Sequence, residues 1–385
     1  MERRGAALMP AVFDPLHADS AAWPQSNDFA RAYMSMVAQA GVNALVRNVR
    51  TRWLALRSGE RVFPLTVNDG ETGDSYVCLP HSAYCLYARE ELDMVDVGAM
   101  KPVAKALISV IGALLQSAGI NRIVHVDNWL LSTNLHGDWK GDDIPAIRDA
   151  LTKQFPQHII AIRSLDAWSC PQLLAAVRAD GWTCVPSRQI WVTDDLERNW
   201  RASHSAGNDR RMMARQGHRV DELAQLREGD AERIAALYEM LYVGKYSALN
   251  PVFTPEYIAA THADGTLRYR GVRDAAGDIV AVAGCLVRGD VLTAPIVGYD
   301  TGRPQSEGLY RAACYLFSDM AAAAGLRLNG SAGAADFKRH RGARGEIEFT
   351  AMYVGHVSAW RACVVRLLAA VLNGFAVPIM KKRGL

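Results

Sequence analysis

The sequence predicts an α/β (α+β) protein of two tandem domains, each a mixed but mostly antiparallel sheet flanked by helices. Three observations predict it. The chain has 385 residues, long for one core, since single cores stop growing at about 250–300 residues. Its first half alternates short β-branched runs with stretches of helical spacing. Its second half carries two helical stretches, a three-strand meander with tight turns, then a Gly-bearing loop and a long helix.

In the first half, Asp28–Ala40 has helical spacing and Gly41 ends it. Thr51–Leu56 and Arg61–Leu65 read as strands around Ser58-Gly59, and Tyr76–Leu79 as a third. Lys101–Ala118 is a helix with Val103, Leu107, Val110, Ile111, Leu114 and Leu115 as its apolar face, capped by Gly119. Ile120–Asn128 and His158–Arg163 are strands around the helix Ala146–Phe155. Cys170–Asp180 is helical and Thr183–Val192 a strand. The first domain is placed at 1–194. No Walker loop, dinucleotide fingerprint or metal-ligand spacing occurs in it; His125, Asp127 and His158 read as groups satisfying one another.

The second domain is placed at 195–385. It opens on an Arg-rich helix, Leu196–Gln216, which reads as a solvated face or a phosphate-docking surface. Asp230–Tyr242 is helical and breaks at Gly244-Lys245-Tyr246. The meander is Leu267–Arg273, Ile279–Arg288 and Val291–Asp300, turning at Asp274–Asp278 and Gly289-Asp290. After Gln305-Ser306-Glu307-Gly308 a helix runs to Ala324. Such a loop at a helix start presents unpaired N–H groups and suits an anion.

Half the residues are hydrophobic and the formal charge is +3, which calls for no DNA partner. Seven scattered cysteines without a CxxC pattern read as buried free thiols, which suits a cytoplasmic location. The apolar part of the N-terminal stretch is broken by Pro10. The tail Val364–Met380 contains Arg366, Asn373 and Pro378 and reads as a docked helix, not a transmembrane segment; a membrane-surface helix ending in Lys381-Lys382-Arg383 is the alternative.

The order of the second half resembles the GCN5-related N-acetyltransferase (GNAT) superfamily. Gln305-Ser306-Glu307-Gly308 matches the first four positions of its carrier loop, [RQ]-x-x-G-x-[GA], and Tyr310 departs from it. A small residue there lets a pyrophosphate approach. From about Asp195 onward, "VGKYSALNPVFTPEYI", "LNGSAGAADFKRHRGA" and "VPIMKKRGL" resemble the FemAB/BioF2-like branch. The resemblance implies a degenerate first domain and an N-acyltransferase in the second. The donor is then an acyl thioester (acyl-CoA or an acylated carrier protein) or, as in the Fem members, aminoacyl-tRNA. The acceptor is the amine of a small molecule or amino acid. No tightly bound cofactor or metal is expected. A non-catalytic binding protein of the same fold is the third reading.

Acyl transfer to an amine needs a polarised carbonyl, a route for the amine proton, and alignment. The amides of Ile296, Val297 and Gly298 are candidates for the first, beside Pro295, which lacks an N–H and interrupts pairing. Gln305, Gly308 and Tyr310 are the carrier-loop residues. Lys338 follows the small-residue turn containing Ser331 and, by resemblance, faces substrate; Arg339 and Arg341 add charge there. Asp300 and Glu307 are candidate bases, with Asp336 and His340 behind them, and Tyr299 a candidate donor. Lys245, Tyr246 and Asn250 border the acceptor pocket that the resemblance implies.

Overall fold

β-Branched runs and turn residues set the strand positions, and pairing between them decides the architecture. The computed structural model describes residues 9–24, 28–94 and 101–383. Its first half runs β1 (Ala11–Phe13), α1 (Asp28–Ala40), α2 (Val42–Leu45), β2 (Arg52–Ser58) and β3 (Arg61–Asp69). A helical turn Ser82–Tyr87 leads into α3 (Ala88–Met94), then α4 (Lys101–Ser117), β4 (Arg122–Val126), α5 (Ile144–Gln154), β5 (Ile159–Leu165), α6 (Pro171–Ala179) and β6 (Thr183–Thr193). The second half runs α7 (His204–Arg215), β7 (Arg219–Asp221), α8 (Asp230–Tyr238), α9 (Pro255–Ala263), β8 (Arg268–Arg273), β9 (Ile279–Arg288) and β10 (Val291–Tyr299). It closes with α10 (Leu309–Ala323), β11 (Arg327–Asn329), α11 (Ala335–Arg339), β12 (Arg344–Tyr353), α12 (Ala359–Val371) and α13 (Val377–Arg383).

Among the described residues, all twelve strands form one sheet, in the order β1-β2-β3-β4-β5-β12-β6-β11-β10-β9-β8-β7. This order is symmetric under the exchange of strand n with strand n+6. The directions obey the same symmetry. β4 is parallel to β5 and β10 to β11, whereas β3–β4 and β9–β10 are antiparallel. The chain is therefore two copies of one strand topology, with α3 and α4 inserted between β3 and β4 of the first copy.

The two separate sheets expected from the sequence are replaced by one, because the halves exchange their last strands. β6 pairs with β11 of the second half, and β12 with β5 of the first, both antiparallel. β6 and β12 pair with each other at the centre, with Glu348 opposite Arg188. The exchange covers two edges that would otherwise present unpaired backbone groups.

Three local expectations change. Tyr76–Leu79 lies in turn and irregular backbone before the helical stretch 82–94. The Arg-rich helix is broken: Glu197–Arg201 forms a wide turn, and the Ser203 hydroxyl caps α7 by accepting from the Ala206 N–H. On α4, Val103, Leu107 and Val110 are more than half exposed, and only its other side packs inward. The apolar face of α4 is wider than the surface it packs on, and periodicity gives the face but not how much of it is covered.

Candidate functional site

The site forms where β10 and β11 part. Their pairing covers only Val291–Thr293 against Arg327–Asn329. Pro295 interrupts the other edge too, where the register with β9 shifts between Thr293 and Ile296. From Ile296 to Tyr299, β10 keeps β9 as its neighbour while β11 ends at Asn329. The chain of β11 turns away through Gly330 and Ser331, the latter at φ 58°.

Aromatic rings gather at this opening. Tyr299 and Tyr310 lie 5.9 Å apart by ring centroids, and Tyr310 and Phe337 4.9 Å. Tyr242 and Tyr246 adjoin them, and the Lys245 ammonium donates to the Tyr299 hydroxyl at 3.5 Å. Burial raises the pKa of Tyr310, Tyr242 and Tyr246, so these phenols remain hydrogen-bond donors at neutral pH. Burial also pushes the neighbouring Cys314 thiol up to about 11. A thiol so protonated is a poor nucleophile, which argues against an acyl-cysteine route.

Lys338 sits on α11 and reaches back into the turn before it. Its Nζ donates to the carbonyls of Gly330 (2.6 Å), Ala332 (2.7 Å) and Ser331 (3.2 Å). Three acceptors match the three N–H bonds of an ammonium. Burial pushes its pKa down to about 8. The carbonyls favour the charged form, so Lys338 is a fixed cation at neutral pH. Its charge is available to a developing oxyanion, while its protons are committed.

The first half shows what the same opening looks like when closed. By register, β4 pairs with β5 through Val126 and Ile162. The next residue, Arg163, is buried and bridges the parting strands. Its guanidinium donates to Asn128 Oδ1 (3.1 Å) and to the carbonyls of Val77 (3.1 Å), Leu131 (3.3 Å) and Ser132 (3.4 Å). Where the second half has Gly330-Ser331, the first half carries this plug. Asp127 beyond it is held by His136 (2.7 Å) and Trp129 (2.6 Å), and His158 by Asp69 (2.8 Å). Among the described residues no set of three metal-ligating side chains converges.

The carrier-loop residues serve packing as well. Gly308 is left-handed at φ 68°, and a Cβ there would lie 2.6 Å from Met212 Sδ on α7. The carbonyls of Ser306 and Glu307 accept from Gln216 and His218, so α7 covers this side of the loop. Gln305 lies in the exposed turn before Gly308. Gly298 lies against α8, where a Cβ would meet the Leu237 and Tyr238 backbone at 2.5–2.7 Å. Ile296 and Val297 are buried in the sheet.

The structure thus brings Tyr299, Tyr310, Lys245 and Tyr246 together, with Phe337 and Lys338 beside them, and commits several other candidates to ion pairs or loop bonds. Asp300 is paired with Arg233 at 2.8 Å, accepts from the Gly302 N–H, and has its pKa lowered by that arginine. Glu307 pairs with Arg303 (3.5 Å). Asn250 locks its own loop by donating to the carbonyls of Tyr242 (3.0 Å) and Ser247 (3.1 Å) and accepts from Tyr76. Arg339 pairs with Asp336 on the surface. Arg341 is held by buried Asp209 through 2.7 and 2.9 Å bonds, and Arg311 shares that carboxylate at 2.6 Å.

Arg188 and its partner Glu348 carry no sequence signal. Arg188 crosses the sheet centre to Glu348 (2.9 Å) and also donates to Ser132 O (2.8 Å) and Thr133 Oγ1 (2.7 Å). Its charge reaches Lys338, Tyr242 and Tyr76. Only strand exchange places it there. An open hollow of ≈ 650 Å³ beside the start of α10 is lined by Asn208, Arg211, Ala214, Arg215 and Arg311.

The chain matches no protein-family model and no curated protein. Among solved structures it is similar to L-PGS from Bacillus licheniformis, at 14% identity and TM-score 0.44, over 59% of this chain and 79% of that one. It is similar to FemX at 10% identity and TM-score 0.45, over 57% and 78%. It is similar to a GCN5-related N-acetyltransferase from Sphaerobacter thermophilus at 13% identity and TM-score 0.31, over 60% and 71%.

Proposed function

We propose that the second half is an acyltransferase that forms an amide at the amine of a small molecule or amino acid. One observation supports this reading: a lysine ammonium is held by three carbonyls of the turn that leaves β11 where β10 and β11 part, and the ring of the preceding residue, Phe337, packs on Tyr310. The acyl carbonyl lies in that opening with its oxygen toward Lys338 and the β10 amides. The acceptor enters past Lys245 and Tyr246. Its nitrogen attacks the carbonyl carbon, the tetrahedral oxyanion is stabilised by the fixed cation, and the departing group leaves with the amine's proton. Preorganised charge of this kind contributes about 3–4 kcal/mol in related oxyanion sites.

The donor in the first reading is a thioester, of coenzyme A or of a carrier protein. A second reading, aminoacyl-tRNA, is supported by the loop itself. Met212 occupies the space over Gly308, and the Tyr310 ring turns inward where a pyrophosphate would approach. The arginine-lined hollow beside α7 instead offers phosphate contacts on an open surface.

The test is a donor comparison with purified protein and a panel of amines. Amide product from acyl-CoA or acylated carrier protein, unaffected by RNase, supports the first reading. Product from charged tRNA, lost on RNase treatment, supports the second. No amide from any donor class overturns the assignment.

A further inference from the structure

We propose that α4 and the helix formed by α12 and α13 seat this protein on an anionic lipid bilayer, lying flat in its surface. The helix is continuous from Ala359 to Arg383, through a wide turn at Leu372–Ala376. By length and composition its stretch Ala359–Lys382 is sufficient to cross a membrane, yet only 22% of its most apolar window is buried. One face is already committed. Ala362, Val364, Val365, Leu368 and Ala369 are buried in the core that includes Ile123, Ile159 and Met352 of the sheet. That contact fixes the helix along the domain surface.

The opposite face is open and apolar. Trp360, Leu367, Phe375 and Ile379 are half or more exposed, with Phe375 at 72%. Exposed Cys363 and Ala370 fill the helical spacing between Trp360 and Leu367 and beyond it. α4 lies beside α12 over the same core, to which Ile108, Ile111 and Leu114 contribute. Two neighbouring helices that bury inward faces on one sheet turn their outward faces the same way. The exposed Val103, Leu107 and Val110 of α4 therefore extend the patch.

Charge selects the occupant. From 357 to 385 the sequence has no Asp or Glu and five cations, Arg361, Arg366, Lys381, Lys382 and Arg383. Arg361 is bound to the carbonyls of Ala118 and Gly119, whereas Arg366, Lys381 and Lys382 are exposed. On α4, Lys101 and Lys105 pair with Asp93. A second copy would bring the same uncompensated cations together. Anionic headgroups would neutralise them while the acyl boundary takes the apolar stripe and Trp360 sits at the interface.

The test is flotation of the full chain with vesicles of phosphatidylglycerol and phosphatidylcholine at equal parts, against phosphatidylcholine alone. We expect flotation with the anionic vesicles, loss at high salt, and release by alkaline carbonate. Leu367→Glu with Phe375→Glu should lower bound protein at least tenfold while the circular-dichroism melt stays unchanged. Lys381→Gln with Lys382→Gln should weaken binding and flatten its salt dependence. The proposal is overturned if wild type stays unbound, if the glutamate variant floats as well as wild type, or if carbonate leaves it embedded. It is equally overturned by a solution dimer that the glutamate variant dissociates. Lys338→Ala should float like wild type, which keeps this outcome separate from the acyltransferase reading.

Discussion

The Lys338 ammonium donates to the Gly330 carbonyl oxygen at 2.6 Å, closing the turn between β11 and α11 onto its own side chain. Nearby carbonyls of Ser331 and Ala332 complete the cradle. The cation is thereby fixed in position before any substrate arrives, which is what electrostatic preorganisation requires.

Lys338→Ala should lower kcat by roughly 10²–10³-fold, the effect of removing one oxyanion-stabilising group. Lys338→Arg should not restore it, because a planar five-donor fork does not fit a three-carbonyl cradle. Steady-state kinetics on both variants checks this; full activity in Lys338→Ala removes this residue from the mechanism.

The rate should fall as pH rises through about 8, where Lys338 loses its proton. Below that the cation is present and its contribution flat. Stability should move the other way. An unfolded lysine keeps its proton to about pH 10.4, so the unfolded state binds more protons between these values and folding strengthens with pH. Melting of wild type relative to Lys338→Met at pH 7 and pH 9.5 should show the gap shifting in favour of wild type.

Gly298→Ala should be far more damaging than Gly308→Ala. At Gly298 the new Cβ meets helix backbone at 2.5–2.7 Å, which cannot yield without moving α8. At Gly308 the obstacle is the flexible Met212 side chain, leaving mainly the cost of φ 68°. Losses of about 3 kcal/mol or more and about 1–2 kcal/mol are expected. Urea denaturation measures both, and Met212→Ala should recover part of the second alone.

Glu348→Ala should cost about 3–5 kcal/mol, because it leaves the Arg188 guanidinium at the sheet centre without its carboxylate. Replacing both by apolar residues, Arg188→Met with Glu348→Leu, should cost much less. A double-mutant cycle that showed simple additivity would contradict the pairing described.

Asp300→Asn and Glu307→Gln should keep activity within about threefold, since both carboxylates are bound to arginines rather than aimed at the opening. Asp300 has its pKa lowered by Arg233, so its stabilisation is present above about pH 4 and is lost as pH falls through the folded value. The acid-melting difference between wild type and Asp300→Asn should therefore vanish at low pH. A hundredfold fall in kcat for either variant would restore that carboxylate as a base.

Much of the second half was legible because its signals are local. Apolar runs and the turns at Asp274–Asp278 and Gly289-Asp290 place the meander, and β8, β9 and β10 lie there. Pro295 marks the bulge because it has no N–H to pair. The site was legible only in part. Lys338, Tyr299, Tyr310, Lys245 and Tyr246 can each be named from the sequence, but nothing in their spacing distinguishes them from Arg341, which serves Asp209 from more than a hundred residues away. The exposed side of α4 was misread for a related reason: its apolar face is wide, and only its neighbours decide how much of it is covered.

By itself the sequence determined the second-half meander and the helix after it, the interrupted strand at Pro295, the Gly-bearing loop and the lysine after the small-residue turn. These depend on backbone chemistry within a few residues. Tertiary structure alone decided that the halves exchange β6 and β12 into one sheet, that Arg163 closes the first opening while Lys338 stands in the second, and that Gly298 and Gly308 make room for α8 and α7. Those outcomes depend on which distant segments meet, and strand pairing and burial are energies of contact that no local pattern records.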